Sequence, residues 1–536
     1  MQRTRGVRRV AILVAASGAL WASTAIAANG GANWTSSGHD FNNTRYNETE
    51  RVIGVDNVGS LGVDWHVATE GDVSATPAVD GTAVYFPDFA GNVYAVDRMS
   101  GEVLWQKNLV TDYGLPAGDH ARATPAIAGD LLIFGDQLGK TSPFVDHGNI
   151  LAVDRHTGDI VWMTSFPDVQ PIVTQAAVVR GDVAYVGVAS YEELWARFLP
   201  PEACCRFRGN VMALDVATGQ ILARTYLTPE PDPADPNDGY TGAAVWGSGP
   251  VIDPKRNSLY ITTGNNYSVP SALQACVDSG GTPESCVDPN NHFDSIVALD
   301  LDTLAIKWAT KAIPSDAWNV SCGIPYILEG ETENCPDEPG PDYDFGQGPA
   351  LFTTGTGSQR REFLGAGQKS GQYWALDPAT GAVQWETQVS PGGLAGGLQW
   401  GSAVDGKRVY VANSNASFLP WAQVGGGTVN YGGWSALDAA TGEILWTTPN
   451  PGESNGMGPV SGANGVIYAC SMDAEGLMVA MDAATGAILW SFASGASCLG
   501  GAAISQGQVF WGYGYDAFSA AGPQPDQGLY AFGLPG

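Results

Sequence analysis

Several short stretches of this chain carry residue types that hold hard cations, move protons or lie flat against an aromatic ligand. PDYDFGQGPAL at 341–351 places Asp342 and Asp344 two positions apart, and VGVASYEE at 186–193 ends on the adjacent Glu192 and Glu193. AVWGSGPVIDPKRNSLYITTGNN at 244–266 contains Trp246 and, 19 residues later, Asn265. GAGQKSGQYWALD at 365–377 sets Lys369 among glycines, in a chain with only 25 lysines and arginines, so a surface role is the weaker reading. HARATPAI and IVTQAAV supply Arg122 and Thr174. Carboxylate and amide oxygens suit a hard cation. An Asp beside such a cation can take a proton, and a Lys can stabilise a developing oxyanion. A Trp offers a flat face, and an Arg fork matches a carboxylate. Each residue also has a plain alternative: a solvated acidic loop at 192–193, core packing for Trp246, a turn for Asn265, a structural contact for Arg122 or Thr174. The six histidines show no zinc-like spacing, no Ser-His-Asp set can be argued, and no CxxCH occurs for covalent haem.

These residues need a frame, and a repeated tag supplies it. The tag reads VYAVDRMSGEVLW at 93–105, ILAVDRHTGDIVW at 150–162 and VMALDVATGQILA at 211–223. It returns at 296–308, 373–385, 434–446 and 478–490, with a truncated LYAFG at 529–533. Each copy is an apolar run ending in Asp, a turn, and a second run usually ending in Trp, which is the pattern of a β-hairpin. One hairpin cannot bury its own face, so seven copies and a partial eighth predict an all-β, eight-bladed β-propeller. Strand from the mature N-terminus should complete the last blade and hide its edge. The Asp residues of successive tags lie 57, 61, 85, 77, 61 and 44 residues apart, against about 40–50 for a four-stranded blade. The excess falls mostly at 188–210, 266–294 and 312–347, and long loops on a rigid ring are where chemistry is usually carried.

Residues 1–27 have a basic start, an apolar run too short to span a membrane, and Ala25-Ile26-Ala27 as a cleavage site, which predicts an export signal and a periplasmic chain. Residues 28–536 then form a single domain. Net charge is −30, which argues against binding to a nucleic-acid backbone and favours solubility. Eight cysteines in an exported chain suggest disulfides. Proximity favours Cys276–Cys286, Cys322–Cys335 and Cys470–Cys498, leaving the adjacent Cys204 and Cys205 to join only each other.

Together, the tags and the ordered loop motifs resemble the pyrroloquinoline quinone (PQQ) dependent alcohol dehydrogenases, eight-bladed quinoproteins. CCRFRG, GPDYDFG and GQKSG bring the polyvinyl alcohol dehydrogenase type nearest. The resemblance implies PQQ and Ca²⁺ on the central axis, oxidation of an alcohol to a carbonyl, and a separate cytochrome c as electron acceptor. It implies Glu192, Asn265, Asp342 and Asp344 at the metal, with Glu193 a bystander. Trp246 is implied as the floor beneath the quinone, after one inserted residue relative to the family spacing. Lys369, Arg122 and Thr174 are implied at quinone oxygens and carboxylates. Cys204-Cys205 is similar to the disulfide that covers PQQ in relatives, although it stands later in this chain.

Asp342 is implied as the catalytic base, with a competitor. PSDAWN at 314–319 is similar to the family's usual lead-in, which would put the base at Asn319, where an amide cannot accept the proton. Reading 320–340 as an insertion moves the base to Asp342. Two alternatives remain open at this point: a cofactor-free scaffold propeller of the cell envelope, and a degenerate quinoprotein that binds PQQ without turnover.

Overall fold

The computed structural model describes residues 32–324, 327–515 and 526–536; the expected export signal at 1–27 lies outside the described residues. Eight blades of four antiparallel strands form the expected propeller, and two of them carry a short fifth strand. Blade one is Ala78–Val79, Ala83–Pro87, Asn92–Asp97 and Val103–Asn108. Each later blade repeats that order, and in the first seven the tag hairpin forms the two outer strands. The ring closes as expected. Gly62–Ala68, near the N-terminus, pairs with Gly528–Gly533 as the outer strand of blade eight.

The tags explain both the turn and the joint between blades. In every tag the Asp side chain accepts amide hydrogens from the turn that follows, as Asp97 does from Met99 and Ser100. The residue four positions after the Asp takes a left-handed conformation, at φ +73° for Gly101. This glycine is required for a second reason. A Cβ on Gly101 would collide with Trp65 of the preceding blade, and Gly158, Gly219, Gly381, Gly442 and Gly486 stand in the same way over Trp105, Trp162, Trp308, Trp385 and Trp446. Trp65, Trp105 and Trp162 also donate their indole N–H to carbonyls of the next blade. Burying roughly 150–250 Å² of Trp at about 25 cal/mol per Å² gives about 4–6 kcal/mol per joint before entropy. One joint departs from this rule on both sides. Ala223 replaces the Trp, Leu304 replaces the Gly at φ +55°, and the two share one apolar cluster.

A feature with no sequence signal closes the ring from inside. Residues 34–47 run round the innermost strands and pair with them in turn. Trp34 bonds Val79, and Thr35, Phe41, Asn42, Thr44 and Arg45 accept from the amides of Ile127, Ile252, Leu351, Val404 and Gly462. Asn47 reaches Ile504 of the closing blade at 2.9 Å. The belt satisfies inner-edge groups that would otherwise be unpaired. All eight cysteines pair as expected: Cys204–Cys205, Cys276–Cys286, Cys322–Cys335 and Cys470–Cys498. Among the described residues, no helix is long and apolar enough to cross a membrane.

Candidate functional site

In each blade the chain runs down the innermost strand and up the second, so second-to-third and blade-to-blade connections share one end of the ring. The tag turns lie at the other end. The long connections at 191–209, 263–294 and 312–349 therefore converge, and every residue singled out from the sequence sits on that end or lines the axis beneath it.

Lys369 is the centre of the arrangement. Its ammonium lies 2.8 Å from Asp342 Oδ1 and 3.3 Å from Asp344 Oδ2. Asp344 also accepts the Trp246 indole N–H at 2.8 Å and the Asn265 amide at 2.5 Å. Gly264 permits that approach, since a Cβ there would lie 2.8 Å from the Asp344 carboxylate. Lys369 stands 5.3 Å from the centre of the Trp246 ring, within cation–π range. Burial opposes its charge, but Asp342, Asp344 and Glu193 outweigh burial and hold it well above the usual ammonium range. Burial pushes the Asp342 carboxyl well up, and repulsion from Asp344 and Glu193 adds to this against the pull of Lys369.

The paired glutamates have different surroundings. Glu192, expected at the metal, is fully buried at the start of the short helix Glu192–Trp195. Its carboxylate accepts the amides of Arg206 at 2.9 and 3.0 Å and of Phe207 at 2.7 Å. It thus clasps the turn that follows Cys204–Cys205. Burial pushes it to about 7. Glu193, expected as a bystander, is pushed to about 8, first by burial and then by Asp344, with Lys369 opposing. Its electrostatic neighbours are the site residues. The vicinal disulfide and Trp246 pack against one apolar cluster, which brings the expected cover and floor together.

Buried polar atoms without protein partners show what the site still asks for. Asn265 donates its Nδ2 to the Trp318 carbonyl at 2.8 Å, which aims its Oδ1, and that oxygen has no partner. Asp342 and Asp344 share one ammonium, so two carboxyl groups face a single cation. A partnerless amide oxygen beside surplus carboxylates fits a hard divalent cation. No three acid, imidazole or thiol side chains converge as a ready metal cage among the described residues. Any cation held here must therefore use the amide and compete with Lys369 for the carboxylates. Arg122 Nη2, Ser74 Oγ and Trp400 Nε1 are also without partners. These three residues and Thr174 line one axial cavity. Arg122 stacks 4.2 Å over Trp400, which meets Trp246 edge-on at 5.2 Å. Thr174 donates to the Trp246 carbonyl at 3.1 Å and so supports the floor. A cluster of orphan donors of this kind fits an anionic, carboxylate-bearing aromatic ligand.

The competing base position is committed elsewhere. Asn319 accepts from the Ser321 amide and donates to the Tyr267 and Asn334 carbonyls. It caps a short turn and lacks any contact with Lys369. Three residues were not singled out as functional in the sequence: Ser74, Trp400 and Asp316. Only Asp316 had a signal, since it opens the DAWN run that ends on Asn319.

A protein-family profile described as outer membrane protein assembly factor BamB matches residues 8–310 and 369–520. The chain is 31% identical to the polyvinylalcohol dehydrogenase of Sphingopyxis sp. (strain 113P3), over 78% of this chain and 60% of that protein. It is 26% identical to quinohemoprotein alcohol dehydrogenase ADH-IIG of Pseudomonas putida, over 72% of this chain and 49% of that protein. The chain thus spans about half to three-fifths of the length of these curated relatives. Among solved structures, the quinohemoprotein alcohol dehydrogenase from Comamonas testosteroni superposes with a TM-score of 0.69 at 20% identity, covering 94% of this chain and 81% of that one.

Proposed function

This chain belongs to the quinoprotein alcohol dehydrogenase family of PQQ-repeat propellers, and from that premise we propose that it oxidises an alcohol to a carbonyl with PQQ and Ca²⁺ in the site around Lys369. The observation that carries this reading is the set of orphan atoms. Asn265 Oδ1, Arg122 Nη2, Ser74 Oγ and Trp400 Nε1 are buried without partners around one aromatic floor. A scaffold propeller has no need of such atoms, because each costs about 1–3 kcal/mol unless a ligand satisfies it.

Asn265, Glu193, Asp342 and Asp344 would hold the cation, and Trp246, Arg122, Lys369 and the Cys204–Cys205 bridge would surround the cofactor. When bound, PQQ supplies the two-electron acceptor that takes the hydride from the alcohol carbon. Asp342 takes the hydroxyl proton, which is the task for which a buried carboxylate in contact with cation and substrate is suited. Lys369 donates toward the oxygen that gains charge and keeps Asp342 oriented at 2.8 Å. Trp246 fixes the plane of the ligand and is itself fixed by its bond to Asp344. The substrate falls in the range of polymeric, secondary and small alcohols, with polyvinyl alcohol the leading member because of the Sphingopyxis relative. A cytochrome c would take up the electrons. The signal-like residues 1–27 and four disulfides support a periplasmic location.

The test is an absorbance titration of the purified protein with PQQ, with Ca²⁺ present and with chelator, followed by dye-linked oxidation of polyvinyl alcohol, a secondary alcohol and a small primary alcohol. Saturable PQQ binding that needs Ca²⁺, followed by alcohol-dependent dye reduction, is expected. Failure to bind PQQ in excess Ca²⁺ selects the scaffold reading. Binding without turnover of any alcohol selects the degenerate one.

A further inference from the structure

The residues on either side of the 320–340 insertion are tied together by one side chain. Asp316 lies before it, buried at 2% exposure. Its Oδ1 accepts the amide of Asp342 at 3.1 Å and its Oδ2 that of Tyr343 at 2.6 Å. The returning chain is drawn in close. Gly340 donates its amide to the Ala317 carbonyl at 2.9 Å. A side chain at 340 would collide with the Asp316 carboxylate, so this position needs glycine. Asp342 itself is left-handed, at φ +57°. That conformation costs a non-glycine residue about 1–2 kcal/mol, although Asp tolerates it better than most. It also turns two successive amides toward one side, as a small anion-binding concavity. One carboxylate fills that concavity.

The same segment orients the other half of the site. Asp316 accepts the Asn266 amide on its carbonyl at 3.0 Å, and the Trp318 amide returns to the Asn266 carbonyl at 2.8 Å. The Trp318 carbonyl then takes the Asn265 Nδ2 hydrogen that aims Oδ1. Asp316 thus braces the carboxylate and the amide from one short splint.

We propose that Asp316 is a positioning residue: by bridging the amides of Asp342 and Tyr343 it holds the left-handed turn that delivers Asp342 to Lys369 and Asp344. The proposal rests on the reading of Asp342 as the base. Asp316 touches neither substrate nor cofactor and acts through Asp342. It supplies what the insertion would otherwise remove, because 25 residues lie between Asp316 and Asp342. A misplacement of about 1 Å in a reacting group can cost about 10²-fold in rate.

The experiment compares Asp316→Ala, Asp316→Asn and Asp342→Asn as full-length proteins. It measures kcat and KM in the PQQ- and Ca²⁺-loaded form, the PQQ dissociation constant by absorbance, and hydrogen exchange of the 338–346 peptide in the cofactor-free form. Asp316→Ala should lose about 10²-fold in kcat with KM and PQQ affinity within threefold. Its peptide should exchange faster. Asp316→Asn keeps one acceptor oxygen and should recover part of the rate. Wild-type kcat in Asp316→Ala overturns the proposal, as does an equal loss of PQQ affinity, which would mark a general structural role. If Asp316→Ala does not fold, Asp316→Asn decides: a loss of about tenfold at unchanged PQQ affinity supports the brace, and wild-type kcat overturns it. Asp342→Asn separates the two readings. Near wild-type turnover there removes the base assignment, whereas an inactive Asp342→Asn beside a fully active Asp316→Ala removes only the brace.

Discussion

Exchanging Glu193 for Gln should weaken cation binding far more than exchanging Glu192. Glu193 feels the charges of Asp344 and Lys369, and Asp344 shares that ammonium with Asp342. A unit charge and a divalent cation about 4 Å apart attract by about 8 kcal/mol at an effective dielectric of about 20. Lost hydration of both partners cancels most of that. The net effect should be about 10²-fold in Ca²⁺ affinity, in line with the dependence of such sites on ligand charge. Glu192 differs because three amide bonds already occupy its carboxylate. Gln at 192 keeps one acceptor oxygen and turns an NH₂ toward an amide N–H. That should cost about 1–3 kcal/mol of stability and loosen the turn after Cys205, with Ca²⁺ affinity changed by less than tenfold. Calcium titration followed calorimetrically, with PQQ absorbance as a second readout, measures both variants. A larger loss of Ca²⁺ affinity in Glu192→Gln than in Glu193→Gln would refute the reasoning and return the ligand role to Glu192.

Other outcomes follow from the same geometry. Asn265→Ala should lower Ca²⁺ affinity by about tenfold, because an unpaired amide oxygen of the site disappears, and calorimetry will show it. The cofactor-free protein should lose stability as pH rises. Glu193 at about 8 and Asp119 at about 8 lie above their unfolded values of 4.5 and 3.8, so the folded chain binds the extra protons. Their contribution is complete below about pH 4 and is lost toward pH 8. Melting temperature should fall across that range, Ca²⁺ should reduce the fall, and Ca²⁺ affinity should climb with pH because the cation displaces protons. A melting temperature that does not respond to Ca²⁺ at pH 8 contradicts this account. At the irregular blade joint, Ala223→Trp alone should destabilise by about 1–3 kcal/mol through crowding against Leu304. Leu304→Gly alone should open a cavity, and the double replacement should restore the regular joint, a coupling measurable by denaturant unfolding.

The ring was legible because its units obey a period. A strand alternates every two residues, and the tag repeats Asp, Gly and Trp at fixed offsets, so blade count, closure and cysteine pairing could be read from spacing. The belt at 34–47 had no period to read. Its bonds run from main-chain groups to a different blade at each step. Such bonds leave no mark on residue type, apart from Trp34 and the buried Arg45, which donates to Val460, Ser37, Thr76 and Ser461. The Ala223 and Leu304 exceptions looked like two decayed tags. Taken together they are one compensated contact across a joint, which a reading along the chain does not join.

The site shows where that kind of reading stops. Asn265 and Lys369 come from segments anchored directly on strand ends, and a strand end transmits direction to the next few residues. Glu192 and Glu193 begin a helix after a turn residue, and consecutive helical side chains point about 100° apart. Adjacent glutamates on such a turn cannot both face the axis, and nothing in YEE says which one does. Glu192 is occupied by the amides of Arg206 and Phe207, supplied by a segment 14 residues away that follows the disulfide. The same holds for the base. Whether the chain returns to the axis at Asn319 or Asp342 depends on what clasps it after the insertion. The clasp is Asp316, a residue whose type is ordinary and whose two partners are backbone amides. Motif matching places residues in the right neighbourhood. The direction of a side chain within it is decided by main-chain donors that belong to other segments, so those donors are the groups to mutate around when a matched motif fails to behave as its family would.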